Sequence, residues 1–175
     1  MIIAFDNTFL SLVLNPDTPP TPNPATKKPV DHCAQRVEAL VDSLSKQGDT
    51  VLIPTPCFSE LLCIVPDLEK AVSEIDRSSA FELAPFDARC AIDLASVTRQ
   101  AIKDGDKKSG TIIGWQEIKF DRQIAIIAKV GGAEIFYTDD KNQSIFAKKL
   151  GLIVRHTWDL DLPSKYAQDE MFDDK

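Results

Sequence analysis

The sequence predicts an α/β fold, with a mainly parallel sheet covered by helices on both faces. Three observations carry that expectation. Short apolar runs alternate with helix-patterned segments along the 175-residue chain. The runs are continuous rather than alternately polar, as in strands buried on both faces. Two of them stop at carboxylates: Ile2-Ile3-Ala4-Phe5 at Asp6, and Glu134-Ile135-Phe136-Tyr137 at Thr138-Asp139-Asp140. In open parallel sheets ligands bind outside the carboxyl ends of the strands, so these acids are expected on one rim.

The elements follow in order. Strand 2–5 leads into a short helical turn through residues 9–14. Six prolines (16, 19, 20, 22, 24 and 29) make 16–29 a loop in extended or polyproline geometry. A helix is expected near 31–47, with Asp31 as N-cap, apolar spacing at Val37, Leu40, Val41 and Leu44, and Gly48 as its stop. Val51-Leu52-Ile53 is a short strand ended by Pro54. A helix from about 56 to 65 carries Glu60, and Pro66 begins another to about 76. Phe81-Glu82-Leu83 reads as a short strand. Residues 87–103 read as a helix, with Ala91, Leu94, Ala95, Thr98 and Ile102 at helical spacing. After a loop at 104–110, a helix is expected from Asp121 to about 130, ending at Gly131-Gly132. Strand 134–137, helix 142–150 and strand 152–155 complete the pattern. Residues 1–163 are expected to form one domain, and the acidic 164–175 segment a frayed tail.

Composition narrows the function. A net charge of −7 argues against coating nucleic acid by bulk electrostatics. It leaves room for a nuclease, because an acidic metal pocket adds to the negative count and bound ions reverse the local field. No apolar run approaches the ~18–20 residues of a membrane span. The first residues carry no basic region and no small-residue cleavage site, so no secretory signal is expected. The four cysteines (33, 57, 63 and 90) have no C-x-x-C spacing. Cys57 and Cys63 lie in an apolar run, which favours reduced core thiols and a cytoplasmic location. Phosphate-binding glycine loops and the G-x-S-x-G elbow are absent from the sequence. A phosphoacceptor receiver domain needs its acceptor Asp at the end of a middle strand, where Pro54 follows Ile53 instead.

Four acids remain to be explained. Asp6 reads either as a cap of the next helical turn or as a site residue. Glu60 has apolar helical neighbours, Cys57 and Ile64, so it turns outward with Ser59 or is held at a site. Asp121 shares a face with Ile124, Ala125 and Ala128 and points where that stripe points. It is either a buried-side N-cap or a site residue, in a first turn whose dipole favours negative charge. Thr138-Asp139-Asp140 is either a plain strand-to-helix turn or part of the same site. Carboxylates converging in this way need a cation, and an oxygen-only set suits Mg²⁺ or Mn²⁺.

In order, these residues form four motifs: Ile2-Ile3-Ala4-Phe5-Asp6-Asn7-Thr8; Ile53-Pro54-Thr55-Pro56-Cys57-Phe58-Ser59-Glu60-Leu61-Leu62; Lys119 to Ala128 around Asp121; and Tyr137-Thr138-Asp139-Asp140. From Ile2 to about Pro163 the chain resembles the PIN-domain ribonucleases, most often met as the VapC-like toxins of bacterial toxin–antitoxin pairs. It departs from them in the proline loop at 16–29, in the extra segment around 66–80, and in reading Asp-Asn-Thr where Asp-Thr-Asn or Asp-Ser-Ser is commoner. The resemblance implies a three-layer α/β/α sandwich and metal-dependent hydrolysis of RNA. It implies that Asp6, Glu60, Asp121 and Asp140 hold Mg²⁺ or Mn²⁺, with Asp139 assisting. Asn7, Thr8 and Thr138 would support them, and Lys119 and Arg122 would contact the RNA backbone. It also implies a homodimer, through 57–65 and 66–80, and a cognate antitoxin. The competing expectation is a PIN-like module that binds nucleic acid or protein without cleaving.

Overall fold

The computed structural model describes residues 1–167 other than Pro16, Ser109 and Ile113. Five strands, β1 (Ile2–Phe5), β2 (Thr50–Pro54), β3 (Phe81–Ala84), β4 (Ile135–Tyr137) and β5 (Ile153–Arg155), form one sheet in the order β3-β2-β1-β4-β5. Every pairing is parallel, with Ile3 beside Val51 on one side and Ile135 on the other. The helices are α1 (Asn7–Leu14), α2 (Cys33–Gln47), α3 (Thr55–Ile64), α4 (Leu68–Arg77), α5 (Ala88–Lys103), α6 (Trp115–Val130), α7 (Lys141–Lys149) and α8 (Ser164–Ala167). A 3₁₀ turn spans Thr157–Asp159. The result is the expected α/β/α sandwich.

Side chains of β1 alternate between two cores. Ile3 and Phe5 pack with Phe9, Leu44, Val51 and Tyr137 under α1 and α2. Ala4 packs on the other face with Leu52, Leu61, Phe136 and the Ile124–Ala128 stripe of α6. Phe5, Phe9 and Tyr137 form a ring cluster with centroids 5.2–5.6 Å apart. Because Phe5 and Phe9 bracket Asp6, that cluster pins the exit of β1. Gly131 is the close approach between α6 and the sheet: a Cβ there would lie 2.5 Å from the Leu52 side chain.

The topology fixes where chemistry can happen. From β1 the chain winds outward through β2 to β3, then crosses back through α5 and α6 to β4 on the other side of β1 and outward to β5. The order therefore reverses between β1 and β4, the switch point at which such sheets open a crevice. Asp6 and Thr138-Asp139-Asp140 stand there.

Several boundaries differ from expectation. The turn after β1 is a full helix from Asn7, capped by Asp6. Asp31 does not cap α2. His32 takes that position with φ 52°, in the left-handed region, and makes no side-chain cap bond. Arg36 Nε instead donates to the Asp31 carbonyl at 2.9 Å. The largest difference is α6, which starts at Trp115 after an extended Gly114. Trp115 and Ile118 extend the helix N-terminal to Asp121, so Asp121 lies in its second turn. Neither the N-cap reading nor the first-turn dipole argument applies to it. Cys57 is buried as expected but Cys63 is exposed, two residues past the buried Leu61 on the outer face of α3. All four cysteines are free. Of the 164–175 tail, Ser164–Ala167 is helical and residues 168–175 lie outside the described residues. No helix among the described residues is long and apolar enough to cross a membrane.

Candidate active site

Asp6 caps α1 and stands at the switch point of the sheet. Its Oδ1 accepts the Phe9 N–H at 2.9 Å, capping α1, and the residue is 1 % exposed. Burial pushes its carboxyl up to about 7; bonds from the Thr138 side chain and the Phe9 N–H pull it down, and the charges of Asp139 and Asp140 push it further up. Thr138, fully buried, links the two strand ends. Its Oγ1 accepts the Asp140 N–H at 3.0 Å, and its side chain hydrogen bonds Asp6.

Asp140 caps α7, its Oδ1 accepting the Gln143 N–H at 2.7 Å. Asp139 is held by a different element. The Thr157 N–H donates to Asp139 Oδ1 at 2.8 Å and the Thr157 hydroxyl to Oδ2 at 2.7 Å. Each Asp139 oxygen thus accepts one bond from the 3₁₀ turn, and the charge of Asp139 still acts on Asp6. Asp121 arrives from α6, half-buried, at the end of the apolar stripe. Burial first and then the charge of Asp140 push it up to about 6, Gln143 opposes this, and Glu117 and Glu60 add to the rise. Glu60 reaches the same field from α3. It is half-buried, while Ser59 beside it is exposed, and burial raises its carboxyl above the usual range. Beneath them Cys57 is fully buried, its thiol held well up by desolvation and by the charges of Asp6 and Glu60.

Four acids from four elements therefore share one electrostatic environment. The ion pairs among the described residues are the Met1 α-amino group with Asp49, Lys70 with Glu74, and Lys149 with Asp106, and they involve none of these acids. Oxygen donors of this charge suit a hard divalent cation in kind. In spacing they are not closed around a centre: among the described residues, no group of three or more His, Cys, Asp or Glu could hold an ion as placed. Like-charged carboxylates repel one another, and Asp6 and Asp140 each turn one oxygen to a helix N-terminus. A buried amide oxygen without a hydrogen-bond partner, Oε1 of Gln143, lies among the same elements.

The supporting residues divide. Asn7 turns its amide oxygen toward the Ser11 hydroxyl, 3.5 Å away, within α1. Thr8 is half-buried on the first turn of that helix. The expected RNA contacts fit the position less well. Residues two positions apart on a helix are about 200° apart around its axis, so Lys119 lies on the opposite side of α6 from Asp121. It lines an apolar hollow of about 250 Å³ with Phe86, Leu94 and Trp115. Arg122 is 2 % exposed. Its guanidinium donates to the Lys107 carbonyl at 2.7 Å and lies 5.4 Å from the Trp115 ring centre and 4.9 Å from that of Phe146. The guanidinium ties the α5–α6 loop to α6 and α7, and so enclosed it is not presented to solvent as a backbone contact would require. Arg122→Ala is expected to cost about 3 kcal/mol, from lost packing and an unpaired carbonyl. Urea unfolding reads that loss, while RNA affinity per folded molecule should not change.

Sequence reasoning missed Gln143. Its signal was present: Asp140-x-x-Gln143 has the spacing of a helix capping box, although here the glutamine side chain goes elsewhere.

No protein-family model matches this chain, and no curated protein does. Among solved structures it is similar to a chain of VapBC2 from Rickettsia felis, in a structure bound to a DNA fragment from their promoter. The TM-score is 0.55 at 20% identity, covering 89% of this chain and 98% of that one. The two share a fold.

Proposed function

We propose that the protein is a metal-dependent endoribonuclease, with Asp6, Glu60, Asp121 and Asp140 holding one or two Mg²⁺ or Mn²⁺ ions. The observation that carries this reading is the buried Asp6 at the sheet switch point, its carboxyl raised to about 7 amid acids that no described cation pairs with. Burying a carboxylate beside others is unfavourable unless a cation completes the site. When bound, such an ion activates water and offsets charge on the phosphate during in-line hydrolysis. The chain's own residues orient the site. Thr138 couples Asp6 to Asp140, α1 and α7 fix one oxygen of each, and half-buried Glu60 has the length to close toward the others. Asp139, held by Thr157, would support the strand end.

On this reading the substrate is exposed, single-stranded RNA. The shared fold with a VapBC2 chain supports a cognate antitoxin as partner and the role of a toxin. A second copy would meet the 57–80 segment, where Ile64 and Leu68 are about half exposed.

Mn²⁺ is expected to raise the melting temperature, because a ligand that binds only the native state stabilises it. At a concentration of 100 times Kd the gain is about 2.7 kcal/mol. Thermal unfolding with and without Mn²⁺ tests the site, and equal responses from wild type, Asp6→Asn and Asp121→Asn would sink the assignment. RNA that is bound without being cleaved would favour the non-catalytic module instead.

A further inference from the structure

Gln143 is the third residue of α7, and it touches two of the four acids. Its N–H donates to Asp140 Oδ1 at 2.7 Å and its side-chain Nε2 to Asp121 Oδ1 at 3.3 Å. The residue is 7 % exposed. Its Oε1 is buried and has no hydrogen-bond partner among the described residues. The orientation of the amide follows from chemistry: an ionised carboxylate only accepts, so the nitrogen must face Asp121 and the oxygen must face away. Leaving a buried acceptor unsatisfied is unfavourable. Leucine or methionine would fill the same space without that penalty, so packing alone does not account for a glutamine here.

We infer that Gln143 is a positioning residue, a neutral brace that holds the Asp121 carboxylate in fixed relation to Asp140 and so sets the affinity of the centre for a divalent cation. The inference rests on the proposed metal centre. Neutrality matters to it. A lysine in this place would pair with the acids and oppose the cation. A glutamate would repel both acids until a cation arrived. The amide links α6 to α7 while leaving the charge of the site unchanged. Groups that orient metal ligands through hydrogen bonds typically change affinity 10–100-fold when removed.

The test is the Mn²⁺ dissociation constant, by titration calorimetry on the full chain, paired with thermal unfolding of the metal-free protein. Wild type is compared with Gln143→Leu and Gln143→Glu. Gln143→Leu is expected to weaken Mn²⁺ binding about tenfold or more. Its metal-free melting temperature should hold, because removing the orphaned oxygen offsets the lost bond to Asp121. Gln143→Glu is expected to melt lower than wild type without metal at pH 8, yet to bind Mn²⁺ more tightly than Gln143→Leu does. A merely structural residue would move stability and affinity in the same direction in both variants, and that outcome overturns the brace. So does a wild-type dissociation constant in Gln143→Leu. If Gln143→Leu does not fold, the opposed shifts of Gln143→Glu decide alone. A wild-type protein that binds neither Mn²⁺ nor Mg²⁺ overturns the metal centre itself, and the brace with it.

Discussion

Asp6→Asn is expected to lower divalent-dependent cleavage of single-stranded RNA by roughly two orders of magnitude or more, since ligands that share one ion act as a unit. The substitution separates the two roles Asp6 plays. Asparagine is as good an N-cap as aspartate, so the bond from the Phe9 N–H survives and α1 should stay capped. What is lost is the charge. The same reasoning covers Asp140→Asn, because Asp140 also caps a helix. Glu60→Gln and Asp121→Asn should reduce cleavage comparably. Asp139→Asn should be milder in catalysis than Asp140→Asn, since Asp140 holds the Thr-x-Asp position and its charge raises Asp121, while Asp139 is tied to Thr157. Excess chelator should stop the wild-type reaction, and the rate should rise with pH as water is more readily activated. Full activity in Asp6→Asn, or unchanged wild-type cleavage in chelator, would refute the mechanism.

Without metal, stability should fall as the pH rises from about 4 to about 7. Asp6 has a folded-state value of about 7 against an ordinary 3.8, and Asp121 moves the same way, to about 6. Between the two values the folded state holds a proton that the unfolded chain has released. Unfolding then releases protons, and raising the pH favours it. Below pH 4 both states are protonated and the effect vanishes; above pH 7 it is complete. For Asp6 a shift of about three units corresponds to about 4 kcal/mol. Asp6→Asn removes the titrating group, so its curve should be flatter and the variant should melt higher than wild type at pH 8. Mn²⁺ should narrow that difference, because it favours the ionised acids. Parallel melting curves for the two proteins between pH 4 and 8 would contradict the burial of Asp6 as the source.

Much of this was readable from the chain. Apolar runs at 2–5, 51–53 and 134–137 became strands, and Asp6, Glu60 and Thr138-Asp139-Asp140 already stood out because a carboxylate beside an apolar run needs a reason. Less was readable around α6. The 104–114 loop hid the start of the helix, and Asp121 looked like its opening residue rather than a member of its second turn. Arg122 was expected to contact an RNA backbone, and nothing nearby in sequence announces that Phe146 and the Lys107 carbonyl will enclose it.

Asp139 and Asp140 mark the boundary most sharply. They are adjacent and chemically alike, yet one is committed to Thr157 and the other caps α7 beside Asp121. Periodicity, caps and stops act over about four residues, so the sequence by itself determined the elements and the acids at their ends. Strand order, the depth of Asp6, the direction in which each acid faces and the bridge made by Gln143 depend on partners many residues away. They exist only once the sheet brings β1 beside β4 and α6 beside α7, so the tertiary structure alone decided them.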